Sequence, residues 1–157
     1  MVDERVTSNV DFDRSVLGIE VEVGAYRVTA EEIVAYARAI GETNPLYLDE
    51  EAAKAGPHGA LIAPPLFIHT LRLQPGGPDP TAHFGTTSFH AGQRTQHFEP
   101  IRAGDILTAT SRITDVYAKT GRTGTMVFLV RRITYRNQHG HTVITMDNSM
   151  VRRDMRR

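Results

Sequence analysis

Ile33, Tyr36, Ala37 and Ile40 recur at the three- and four-residue spacing of one helix face, which predicts an amphipathic helix between Thr29 and Gly41. Thr29 followed by Glu32 makes the capping-box pattern, Glu31 and Glu32 complement the positive end of the helix, and Gly41 is placed to stop it. After the loop GETNPLY, Asp49 can cap a second helical stretch, EEAAKA, which Gly56 and Pro57 end. The most apolar segment, ALIAPPLFIHTLRL, follows; its proline pair can begin a helix but not lie within one, so residues 65–73 are expected to form a buried helix.

Beyond the loop QPGGPDP, residues 74–80, the pattern changes. FHAGQRTQHFE, DILTATSRITDVYAK, TMVFLVRRITYRN and HTVITMDNSMVRR are long, rich in β-branched residues and joined by turns such as KTGRTG and NQHG, which predicts four antiparallel strands. GIEVEVGAYRV, residues 18–28, reads as a further extended segment ahead of the first helix. A nine-residue helix covers only ~14 Å, so a sheet this long is expected to curl round it to bury both. The fold class expected is therefore α+β, a long curled antiparallel sheet wrapped around a central helix. The absence of alternating strands and helices excludes a doubly wound sheet.

At 157 residues the chain has the size of one domain, 1–157, with 1–17 and 152–157 expected as flexible ends. It has no cysteine, which removes disulfides, thiolate nucleophiles and Cys-ligated metals together. Without a ~20-residue apolar run or a signal-like start, a cytoplasmic protein with no membrane role is expected. Net charge is zero, which argues against a nucleic-acid partner, but residues 1–78 carry 12 acids against 6 bases and residues 79–157 the reverse. Of the 18 basic residues 16 are arginine, whose guanidinium fork matches phosphates and carboxylates.

None of the seven histidines has metal-ligand spacing, so no metal site is expected. His90 and His97, an odd number apart, are expected on opposite faces of one strand, as are the neighbours Gln93 and Arg94. No phosphate-cradling glycine loop, Gly-x-Ser-x-Gly elbow or Ser-His-Asp order occurs.

The loop Gly41-Glu42-Thr43-Asn44-Pro45-Leu46-Tyr47, with GALIAPPLFIHTL and HAGQRTQHFEPIRAGDILTATSRI after it, resembles the signature of the MaoC-like (R)-specific enoyl-CoA hydratases. The branch it resembles most is the N-terminal-half MaoC type, the FAS1-like dehydratase domains. The resemblance implies a hot dog fold, a CoA or acyl-carrier-protein thioester substrate, reversible addition of water at its β-carbon, and no redox cofactor or metal. Catalytic members read Gly-Asp-x-Asn-Pro-x-His, the Asp and His holding the water; the matching positions here are Glu42 and Tyr47. A phenol of ordinary acidity is ionised about once in a thousand at pH 7, a penalty of ~4 kcal/mol for a base. Relatives also carry Ala-His-Gly at the start of the central helix, where a backbone N–H polarises the thioester carbonyl. Here the sequence is Ala63-Pro64-Pro65-Leu66, and proline has no N–H.

Both departures resemble the non-catalytic, acyl-binding subunit of heterodimeric members. They imply a homo- or heterodimer with another hot dog subunit and a substrate wall of Asn44, Pro64, Pro65, Leu66, Phe67 and Gln93. Two alternatives remain open: an active homomeric hydratase using Glu42 with His90 or Tyr47, and a non-enzymatic acyl-CoA-binding protein. His69, within the central segment, could approach the acyl tunnel.

Overall fold

The computed structural model describes residues 10–72, 77–122 and 124–153. Strand β1 (Val21–Arg27) is followed by helix α1 (Ala30–Ala39), a 3-10 turn (Pro45–Tyr47), the short helix α2 (Glu50–Lys54) and a 3-10 segment (Pro65–Thr70). Four long strands complete the chain: β2 (Thr87–His97), β3 (Ile106–Gly121), β4 (Gly124–Arg136) and β5 (Thr142–Arg153). Both helix starts form as expected. Thr29 and Glu32 make the full capping box on α1, and the Asp49 carboxylate accepts from the Glu51 and Ala52 amides on α2. Gly41 leaves α1 with φ of 74°, a conformation glycine adopts without strain.

All five strands form one antiparallel sheet in the order β1-β3-β4-β5-β2. Its inner face carries two cores. Ile33 of α1, Phe67 and Ile68 of the 3-10 segment, and Leu107, Tyr135, Ile144 and Met146 of the sheet make the larger one. Val10, Phe12 and Ala82 cover Ile113, Val116 and Val127 to make the other. Within the expected flexible ends, 1–17 and 152–157, Val10 and Phe12 are buried, Arg14–Val16 forms a 3-10 turn, Leu17 bridges to Ile113 and residues 152–153 finish β5, while residues 1–9 and 154–157 lie outside the described residues. Among the described residues no helix is long and apolar enough to cross a membrane.

The α+β character and the strands hold, but the expected wrapping does not. The sheet is open and not strongly curled, with β1 and β2 as two unjoined edges, and among the described residues no α-helix forms over the expected central segment for it to wrap. Instead of a helix over 65–73, a six-residue 3-10 segment forms, and residues 73–76 lie outside the described ones. The proline pair supplies the reason: two missing N–H groups and a Pro64 backbone that remains extended leave the segment too short to serve as a core rod. Cover for the inner face is shared instead among α1, the 3-10 segment and the chain on either side of Ala82.

Candidate functional site

The loop after α1 is organised by its own polar side chains. One oxygen of the Glu42 carboxylate accepts the amides of Thr43 (2.9 Å) and Asn44 (3.1 Å). The Asn44 side-chain oxygen accepts from the Leu46 amide at 3.0 Å, capping the turn that Pro45 opens. These bonds satisfy the turn locally and hold the carboxylate on the loop backbone. Backbone bonds then dock the following chain: Ile62 donates to Leu46 at 3.2 Å and Ala63 to Ile101 at 2.8 Å. The buried Asp105 accepts the Arg102 amide at 2.8 Å and fixes the turn of EPIRAGD behind them.

Between these segments lies a cavity of about 430 Å³, within the range of small-ligand sites. Tyr47, Ile62, Pro64 and Pro65 form one wall, His97 and Phe98 the other, with Ile101 and Ile144 behind. Glu99 also borders it, but its carboxylate meets His141 Nδ1 at 3.2 Å and Arg102 at 3.9 Å. The wall is thus mainly apolar, a phenol and an imidazole stand on it, and neither proline offers an N–H. Such a chamber can hold an acyl chain. The Glu42 carboxylate is not among the groups lining it.

The residues expected at the site divide. Tyr47, Pro64 and Pro65 meet at the cavity. Phe67 is 1% exposed and packs edge-on against Tyr36, with ring centres 5.7 Å apart, so it belongs to the core. Leu66, 59% exposed, faces outward. Asn44 is an exposed cap. Gln93 lies further along β2, its amide nitrogen 3.3 Å from His69 Nε2, 3.0 Å from the Thr95 hydroxyl and 3.8 Å from the Met146 sulfur. His90 is exposed opposite Met150, about 20 Å along the strand from His97.

His97 and Phe98 are the residues that periodicity missed. A bulge between His90 and Gly92 inserts one residue into β2, so His90 pairs with Met150 and His97 with Ile144, six positions apart. Both histidines therefore face the inner side, not opposite sides, because the bulge inverts the alternation. Gly92 within a strand pattern was the available signal.

Away from the cavity lining, the ionisations of the Glu32–Tyr26 pair and of Tyr135 are displaced. The Glu32 carboxyl is held below its ordinary value chiefly by the Tyr26 hydroxyl, which donates to it, and the same bond raises the Tyr26 phenol. Burial in the larger core pushes the Tyr135 phenol up to about 12. Among the described residues no three His, Asp or Glu side chains gather to hold a metal ion.

The domain is thus an open antiparallel sheet with short helical segments on its inner face and a mainly apolar cavity of about 430 Å³. Residues 15–146 match the model of the FAS1-like dehydratase domain region, and the chain belongs to that family. It is 33% identical over 146 residues to a UPF0336 protein of Saccharopolyspora erythraea, covering 90% of this chain and 91% of that one. Among solved structures, the MaoC-like dehydratase of Rhodospirillum rubrum superimposes with a TM-score of 0.66 at 24% identity, over 90% of this chain and 94% of that one. The C-terminally truncated HadBC (3R-hydroxyacyl-ACP dehydratase) complex of Mycobacterium tuberculosis gives 0.64 at 22% identity, over 87% of this chain and 96% of that one.

Proposed function

We propose that the chain is the acyl-binding, non-catalytic subunit of an (R)-specific enoyl-CoA hydratase or 3-hydroxyacyl thioester dehydratase, working beside a second hot dog chain that carries the Asp-His pair. The observation that supports this reading is the cavity wall itself: Tyr47, Pro64 and Pro65, which the sequence resemblance matches to the proton shuttle and amide donor of catalytic members, line it together, and the Glu42 carboxylate is spent on its own loop. The reaction served is addition of hydroxyl to the β-carbon and a proton to the α-carbon of an enoyl thioester, or its reverse. This chain contributes the apolar wall. The complex named for the Mycobacterium tuberculosis structure supports a heteromeric arrangement. So does the exposure of Phe98 (52%), a cavity residue that directly follows the edge strand β2.

The test is steady-state hydration of crotonyl-CoA and longer enoyl-CoAs by the purified chain, alone and mixed with a catalytic hot dog chain. Alone it is expected to stay at the uncatalysed rate, while the mixture gains activity toward long acyl chains. Robust turnover by the lone chain would refute the proposal.

One observation favours a second reading, the active homomer. His97 lines the cavity together with Tyr47 and could serve as its base, in place of His90. This version requires a lone-chain activity that His97→Gln abolishes.

A further inference from the structure

The inward positions of β4 and β5 are mostly apolar, and two arginines break that pattern. Arg131 of β4 lies opposite Ile113 of β3, and Arg152 of β5 lies opposite Val127 of β4; both partners are buried in the second core. Residues paired across strands face the same side of a sheet, so both arginines point inward. Arg131 stands between Leu129, packed on the second core, and Ile133, packed on the larger one. A charge held there has lost part of its water, and burial is what lowers the Arg131 guanidinium from its ordinary value.

Among the described residues, the hydrogen-bond acceptors of these two groups are all neutral. Arg131 donates through Nη1 to the Ser111 hydroxyl at 3.0 Å and through Nη2 to the Pro78 carbonyl at 2.8 Å, and Arg152 through Nη1 to the Ala82 carbonyl at 2.6 Å. The bonds pin the crossing chain onto the sheet, and Gly77 (φ 101°) passes so close that a side chain there would begin 2.7 Å from Arg131 Nη1. They satisfy donors and leave the charge without a counter-ion. On the outer face, by contrast, Arg132 grips both oxygens of Asp147 at 2.6 and 2.7 Å, and Arg136 meets Glu20 at 2.8 Å.

Arg131 and Arg152 line one cavity of about 370 Å³. Leu129 and Met150, a directly opposed pair, lie between them on its floor, Pro80 comes from the crossing chain, and Ser88, opposite Arg152, adds a hydroxyl. Asp79 is the cavity's one carboxylate; it accepts the Thr81 amide at 2.9 Å, and its charge acts on Arg131 without an ion pair between them. Two guanidinium groups against one carboxylate leave the cavity with a positive excess. The arginine backbones are ~14 Å apart, four residues along the strands and one strand across, a gap that two long side chains can close on an anion.

We propose that this cavity binds a small organic oxyanion, a phosphate monoester or a carboxylate, its head between Arg131 and Arg152 and a short aliphatic body against Leu129 and Met150. The head supplies the counter-charge both arginines lack, and the guanidinium fork matches such oxyanions in shape as well as charge. The apolar floor and the volume suit a ligand that is more than a bare ion. Met150 is six residues along β5 from Ile144 of the acyl cavity, ~20 Å away, so the site does not depend on what that cavity does.

Amide NMR titrations of the full chain with monobutyl phosphate, pentanoate, inorganic phosphate and butanol test it. At least one of the two organic anions is expected to give saturable shifts at residues 78–80, 88, 129–131 and 150–152 and to bind more tightly than inorganic phosphate or butanol; the tighter of the two identifies the head group. Arg152→Gln keeps a donor for the Ala82 carbonyl and removes the charge. With an unchanged circular dichroism spectrum it should weaken that anion by about tenfold or more, the size of one charged hydrogen bond. Arg131→Gln should do the same, and if it does not fold Arg152→Gln decides alone. Arg38→Gln, on exposed α1, should leave binding unchanged. No saturable shifts with either organic anion, shifts elsewhere, or wild-type affinity in Arg152→Gln would overturn the site. Inorganic phosphate binding as tightly would overturn the aliphatic body, and butanol binding as tightly would overturn the anion.

Discussion

Strands β3 and β2 are both long, both bulged and both antiparallel to a neighbour, yet they are buried very differently. Along most of β3 buried and accessible residues alternate strictly, with Leu107, Ala109, Ser111 and Ile113 inward. Strand β2 has no buried residue at all, and Phe89 is 40% exposed within it. The difference lies in what each strand has for neighbours: β3 sits between β1 and β4 under a core, while β2 has β5 on one side and, among the described residues, no strand on the other. A strand of eleven residues with a free edge is a surface for another chain. Because β2 runs into the cavity wall at His97, the lesson is that the interior of this domain is closed while the edge strand leading to the cavity is open.

Substitutions that set the two strands against each other sharpen this most. Ile113→Ala removes a fully buried side chain from β3 and should cost about 2–5 kcal/mol in chemical denaturation. Phe89→Ala on β2 should stay within about 0.5 kcal/mol for the isolated chain while weakening its association. Equal losses would erase the contrast.

The finished interior also has an alkaline limit. The neutral phenol of Tyr135 is the form the core accepts, and its folded value of about 12 lies above the unfolded value near ~10. Its contribution is therefore complete below pH ~10 and is lost as pH rises through the folded value. Tyr135→Phe should remove that part of the alkaline decline in a urea-midpoint profile.

Thr29→Ala, which breaks the capping box of α1, should cost about 1 kcal/mol. The smallest effect belongs to the outer face. With the Asp147 carboxyl lowered by its bond to Arg132, stability is present above the unfolded carboxylate value near ~3.9 and falls as pH drops through the folded one. Asp147→Asn should flatten that acid slope, read from thermal midpoints between pH 5 and 2 at about 0.1 M salt.

How legible each region was in the sequence follows from the same contrast. Caps and strands are local, so Thr29, Asp49 and the long β-branched runs could be read directly, as could the opposite facing of Gln93 and Arg94. The central segment misled because its apolar content looked like a helix while its two prolines limited it to six 3-10 residues. His97 was hidden by a single inserted residue at the bulge, which inverts every assignment after it. Glu42 and Asn44 carry the family loop pattern, but a sequence cannot show that their side chains are used up on neighbouring amides.

Hydrogen exchange across residues 87–98, followed over a dilution series and with a catalytic hot dog chain added, is the most direct measure of whether the edge beside the cavity awaits a partner. The amides on the open side of β2 should exchange rapidly in dilute monomer and become strongly protected on association, in step with the covering of Phe98. Assembly that leaves those amides as exposed as in the monomer would contradict the shared site.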